Sequence, residues 1–218
     1  MRPDLPPLPA NMAHLPVDDR GYPVPRFVYW QNGKPEFRVA GPQVRELAWI
    51  LGECWVCGKS LGYPKRQTFV IGPMCVVNRT TAEPGCHKEC AIYSAMACPF
   101  LTKPQMDRRE NGLPEETQDA DGLMIRRNPG VTCLWTSETA YLFDDGMGGW
   151  LINIGEPAET PLWYCQGRKA TAEEVSESVR TGLPILQEMA MKEGPAAGTE
   201  LDRMARKALQ YMPEGAQV

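Results

Sequence analysis

Hydrophobic and polar positions divide the chain into short segments with clear punctuation. Phe27-Val28-Tyr29-Trp30 and Glu36-Phe37-Arg38-Val39 flank Gln31-Asn32-Gly33-Lys34-Pro35. Two strand-forming runs that meet at an Asn-Gly pair predict a β-hairpin, because the tight turn needs residues that tolerate positive φ. Pro42 suits the first turn of a helix running to Cys54, in which Val44, Leu47, Ala48 and Leu51 recur at helical spacing. Gln67-Thr68-Phe69-Val70-Ile71 reads as a strand, with Cys75-Val76-Val77 as its return after a Gly72-Pro73 turn. Four more short strands are expected at 131–135, 140–143, 150–154 and 162–165, separated by Gly, Asp or Pro turns and suited to one small antiparallel sheet.

The chain closes on helices. Thr171 and Glu174 have the spacing of a capping box, and Gly182 is expected to end the helix they open. Pro184 then suits the start of another, with Ile185, Leu186, Met189 and Ala190 on one face. A last helix from Thr199 carries a stripe of Leu201, Met204, Ala205, Ala208, Leu209 and Met212, which reads as core. At the other end, prolines at 3, 6, 7, 9, 16, 23 and 25 exclude helix and predict an extended arm across the surface, with Tyr22 and Val24 free to dock. Lys103 to Gly130 holds few large apolar residues and reads as a loop. The expected architecture is α+β. It has a Pro-rich arm over 1–26, a hairpin, helix and cysteine-rich module over 27–101, a linker over 102–130, and strands with C-terminal helices over 131–218 that can share the core of 27–101.

Composition narrows the class. With 43% hydrophobic and 23% charged residues in 218, a sizeable core is available and wholesale disorder is excluded. No run approaches the roughly 18 apolar residues of a membrane span, and Met1 to Pro7 has no apolar signal core. The expectation is a cytoplasmic protein without a membrane partner. Net charge is −4, yet residues 54–110 carry +4, so basicity is confined to the cysteine-rich block. That local patch is far from the strongly basic balance that makes nucleic acid the default partner.

Eight cysteines in a chain without a secretion signal point to metal rather than disulfides, because cytosolic thiols stay reduced. In Cys54-Trp55-Val56-Cys57-Gly58, two thiolates two residues apart can reach one tetrahedral ion, and Gly58 permits the tight positive-φ turn of a knuckle. His87 and Cys90 form a second pair, which a helix starting near His87 places on one face. Cys86 competes with His87 as fourth ligand, since it also precedes Cys90 and a thiolate binds zinc at least as readily as an imidazole. Three cysteines and one histidine fill all four positions of zinc, which makes the expected Zn2+ structural. Cys75, Cys98, Cys133 and Cys165 lie in apolar runs and read as small buried hydrophobes.

The order of knuckle, hairpin and ligand-bearing helix over residues 54–98 resembles treble-clef zinc modules. Further motifs are Arg20-Gly21-Tyr22-Pro23-Val24-Pro25, Gly72-Pro73-Met74-Cys75 with Asn78-Arg79, and Cys98-Pro99-Phe100-Leu101. With the knuckle they resemble uncharacterised phage and prophage proteins across the first half of the chain. The resemblance implies a small virus-encoded accessory protein in a bacterial cytoplasm and brings no activity with it.

Enzyme classes built from similar pieces fit poorly. A treble-clef nuclease needs a histidine base besides its structural ligands, but only His14 remains once His87 binds metal. His87-Lys88-Glu89 has the His-x-Glu form of zinc deaminases, yet here Cys-x-x-Cys precedes it and lacks the leading proline. The function expected is a non-enzymatic binding module for a host or viral protein or nucleic acid. Arg79, Lys88, Arg108 and Arg109 are its candidate contact residues, with Lys59, Lys65 and Arg66 on the knuckle side. The alternatives are an enzyme on a nucleotide or small metabolite, with Trp135, Trp150 or Trp163 as stacking walls, and a structural virion component.

Overall fold

The computed structural model describes residues 5–104, 113, 121–122, 125, 128–146 and 148–218. The fold is α+β. Its strands are β1 (Val28–Gln31), β2 (Lys34–Ala40), β3 (Gln67–Ile71), β4 (Thr80–Thr81), β5 (Val131–Ser137), β6 (Tyr141–Asp144), β7 (Trp150–Asn153), β8 (Leu162–Cys165) and β9 (Arg168–Lys169). Its helices are α1 (Val44–Leu51), α2 (Pro73–Asn78), α3 (Lys88–Ala97), α4 (Ala172–Glu193) and α5 (Pro195–Ala208).

The first hairpin turns where the Asn-Gly pair stands. Asn32 and Gly33 take φ of 50° and 75°, pairing Gln31 with Lys34 in a two-stranded sheet. The layer that organises the molecule is a second, antiparallel sheet in the order β3-β5-β8-β9. Phe69 faces Trp135 across β3 and β5, and Cys133 faces Trp163 across β5 and β8. Because strand side chains alternate, Phe69, Ile71, Cys133, Trp135, Trp163 and Cys165 join one core, with side chains of α2, α4 and α5. Val70, Leu134, Leu162 and Tyr164 join the other, with the cysteine pairs, α3 and the N-terminal arm. Every residue of β5 is buried, as a strand covered on both faces requires. Of its polar members, Thr136 is satisfied across the sheet, its hydroxyl and that of Thr68 on β3 bonding each other at 3.0 Å.

Several expected elements are corrected. Cys75-Val76-Val77 is not a strand but part of α2. Gly72 is extended, Pro73 takes the first helical position, where its missing N–H costs nothing, and Met74, Val76 and Val77 are buried. The partner of β3 is therefore β5, more than sixty positions along the chain. The four later strands do not form one sheet: β6 and β7 join β4 in a separate sheet of order β4-β7-β6. The first helix stops at Leu51, well short of Cys54, because Gly52 adopts φ 63° and caps it with N–H bonds to Ala48 and Trp49. Only Val44 and Ala48 of its expected apolar face are buried, while Leu47 and Leu51 are exposed.

Gly182 and Pro184 do not separate two helices. The capping box forms, with Thr171 Oγ1 accepting from Glu174 N–H and the Glu174 carboxylate accepting from Thr171 N–H, and α4 continues through Pro184 to Glu193. Val175, Val179 and Gly182 are buried at helical spacing, so tertiary packing outweighs the one backbone bond that proline removes. The break falls at Gly194, φ 129°, followed by Pro195 at the start of α5. Leu201, Ala205, Ala208 and Met212 are buried, in keeping with their core stripe. The arm is not wholly extended either: Ala10–Met12, free of proline, makes one 3-10 turn that buries Met12. Val24 docks as expected and is 1% exposed. The linker expected over 102–130 lies largely outside the described residues, as do Arg108 and Arg109.

Candidate metal centre

The knuckle is built by backbone bonds that turn the chain around Cys54. Gly58 N–H donates to the Cys54 carbonyl at 2.8 Å, and Cys54 N–H to the Lys59 carbonyl at 2.8 Å. Gly58 has φ 73°, and a Cβ there would stand 2.9 Å from Arg26 Cγ. Glycine is thus required twice, by dihedral and by space. The second pair comes from the start of α3, where His87 is the extended N-cap residue and Cys90 lies in the first turn. A two-way backbone bridge between Thr68 and Cys86, 2.8 and 2.9 Å, ties this helix start to β3.

The folding of these two segments brings together the four side chains singled out by spacing. The donor atoms of Cys54, Cys57, His87 and Cys90 all lie within 4.8 Å of one another. For comparison, tetrahedral zinc with bonds of roughly 2.3 Å has ligand-to-ligand edges of about 3.8 Å. All three cysteines are buried and His87 is half-buried. The His87 Nδ1 atom is 3.3 Å from Cys57 Sγ, while Nε2 is 3.0 Å from the Ser60 carbonyl oxygen. In the tautomer that satisfies both, Nε2–H donates to Ser60 and Nδ1 keeps its lone pair toward the sulfurs. Three thiols and an imidazole with a free lone pair are a donor set that can hold a metal ion such as zinc.

Electrostatics favour a dication at this point. The Cys54 thiol is held well below the usual thiol range, chiefly by hydrogen bonding with Cys57, then Cys86 and Cys90. The Cys57 and His87 amides also donate to its sulfur at 3.4 and 3.3 Å. Cys90 is pushed up by its contacts with Cys54 and then Cys57, and Cys57 is pushed up first by Cys54. Burial adds to both. The sulfurs thus compete for a single negative charge, and a metal dication removes that competition.

Cys86 is not among the four converging donors. Its sulfhydryl donates to the Thr68 carbonyl at 3.0 Å, and its contact with Cys54 followed by burial holds its proton firmly. Two contributors to the site carry no sequence signal: the Ser60 carbonyl, a backbone atom, and the Arg26 stem that closes over Gly58. Trp55 stacks on Phe27 at 4.7 Å, fastening the knuckle to the hairpin.

The other candidates are placed differently. Arg79 lies against both the Trp135 and Tyr211 rings, 4.4 and 4.5 Å from their centroids, where the two rings meet edge to face, and donates to the Gly155 carbonyl at 2.9 Å. This makes it an interior strut. Lys88 pairs with Glu159 at 2.6 Å, and Arg66 pairs with Glu159 and Glu138 at 3.1 and 3.5 Å. Lys65 lies over the Trp49 ring at 4.0 Å, and Lys59 is exposed on the knuckle. The tryptophans proposed as stacking walls are engaged elsewhere: Trp135 is in the core, Trp163 donates to the Tyr211 carbonyl, and Trp150 lies under Arg45. No helix among the described residues is long and apolar enough to cross a membrane.

No protein family model, curated protein or solved structure matches this chain.

Proposed function

We propose that the chain is a non-enzymatic binding module for a macromolecule, its knob held by structural Zn2+ on Cys54, Cys57, His87 and Cys90. The observation that carries this reading is the closed donor set. Four protein ligands from two segments fill a tetrahedral shell, leaving no position for water or substrate. Zinc, when bound, supplies charge compensation and a cross-link between the knuckle and the start of α3. The side chains themselves do the rest: Nε2 of His87 anchors the ring on Ser60, and Trp55 anchors the knuckle on Phe27.

The treble-clef reading is supported by the order of knuckle, Thr68–Cys86 bridge and ligand-bearing helix, with α2 and β4 lying between Thr68 and Cys86 in place of the expected hairpin. The motif resemblance supports a virus-encoded accessory role in a bacterial cytoplasm. A protein partner fits better than nucleic acid, because Arg79 is interior and Lys88 and Arg66 are already paired with carboxylates. X-ray absorption at the zinc edge tests the closed site. Three sulfur and one nitrogen scatterers with no oxygen support it, whereas a water oxygen with fewer sulfurs points to an open, catalytic site.

A further inference from the structure

The two larger sheets end in four edges, and three of them are blunted. The outer side of β3 is occupied by its bridge to Cys86, β9 is the two-residue, doubly basic Arg168–Lys169, and β4 is only Thr80–Thr81. Short, charged or covered edges are how sheets avoid unwanted pairing. The fourth edge, β6, has none of these protections within its apolar run. It reads Tyr141-Leu142-Phe143-Asp144, and all four residues are exposed, the first three by 56%, 38% and 36%. Its inner side pairs with β7 along its whole length, and no described strand pairs with its outer side. An edge of unsatisfied N–H and C=O groups, flanked above and below by uncovered aromatic and aliphatic side chains, is complementary to another strand.

We propose that β6 is a docking edge at which an extended segment of a partner protein adds a strand. The partner strand alternates apolar residues that meet Leu142 on one face and Tyr141 and Phe143 on the other. Charge complementarity places a Lys or Arg at its end. Asp144 accepts the Gly146 N–H at 2.6 Å and forms no ion pair among the described residues. A second copy of the chain answers this charge less well: antiparallel self-pairing centred on Leu142 sets Asp144 opposite Ala140, and no residue from Glu138 to Gly146 is a cation.

This inference rests on the binding-module reading but not on the metal, so the two fail separately. The experiment titrates the zinc-loaded full chain with a synthetic peptide, Lys-Thr-Val-Tyr-Val-Thr-Lys, and with its analogue N-methylated at alternate amides. Calorimetry gives affinity and amide hydrogen exchange locates it. The expected result is sub-millimolar binding, slowed exchange confined to β6 and its neighbours, and at least tenfold weaker binding of the methylated peptide. Asp144→Lys lowers affinity several-fold at low salt, and Phe143→Asp by tenfold or more, with unchanged thermal unfolding. Equal binding of both peptides, protection elsewhere, no binding at millimolar peptide, or a dimer that buries β6 in sedimentation would each overturn the proposal.

Discussion

The Nδ1 atom of His87 lies 3.3 Å from the sulfur of Cys57, although 29 residues separate the two ligand pairs. The Ser60 carbonyl, 3.0 Å from Nε2, fixes which nitrogen faces the sulfurs. Replacement by a fourth thiol keeps a complete donor set, whereas truncation leaves three. His87→Cys is expected to retain zinc, and His87→Ala to lose affinity by at least about tenfold, measured by competition with a chromophoric chelator. Cobalt substitution checks the ligand count, since the sulfur charge-transfer bands should grow in His87→Cys and persist at three-thiolate strength in His87→Ala.

Gly58 carries the turn that aims both knuckle thiols. Gly58→Ala places a Cβ 2.9 Å from Arg26 Cγ in a backbone at φ 73°. The dihedral alone costs roughly 1–2 kcal/mol, and Arg26 must also move. Urea unfolding of the metal-loaded protein should show a loss of about that size. An unchanged midpoint would mean that the turn relaxes without strain.

Arg79 looked from its charge like a contact residue, but its guanidinium stacks on Trp135 and Tyr211 and bonds the Gly155 carbonyl. Arg79→Ala is expected to destabilise the fold by about 2–3 kcal/mol, combining lost cation–π contacts with an orphaned carbonyl. Lys88→Ala, which removes a surface ion pair with Glu159, should cost under about 1 kcal/mol. Equal effects in thermal unfolding would contradict the interior role of Arg79.

Acid acts on two identifiable carboxylates. Glu156 is held at about 2 from an ordinary 4.5, first by the Tyr211 hydroxyl and then by Lys207, and Glu174 is likewise held at about 2, first by Arg168. Both values are lower folded than unfolded. Their stabilisation is therefore complete above about pH 4.5 and is lost as pH falls toward 2. Tyr211→Phe keeps the ring but removes the principal donor to Glu156. A carboxyl carbon titration by NMR should move the Glu156 midpoint up toward 4.5 in that variant while Glu174 stays low. A parallel shift of both would assign the effect to global loosening.

Local chemistry was the legible part of the sequence. The Asn32-Gly33 turn, the Thr171–Glu174 capping box and the two ligand pairs each depend on residues within a few positions, and each forms. Elements decided by distant packing were not legible. Cys75-Val76-Val77 has strand-like composition but becomes helical because Pro73 starts a turn whose Met74, Val76 and Val77 all reach core. Pro184 has the chemistry of a helix start, yet buried Val175, Val179 and Gly182 hold the helix through it. The pairing of β3 with β5 spans too much chain for any pattern of alternation to announce it.

The most direct test of the account is native mass spectrometry of the untagged chain from zinc-replete culture. One zinc per chain is expected, absent in Cys54→Ser and retained in Cys86→Ser, since Cys86 stands outside the four converging donors. A chain that carries no metal, or one that loses it with Cys86→Ser and keeps it with Cys54→Ser, would contradict the site.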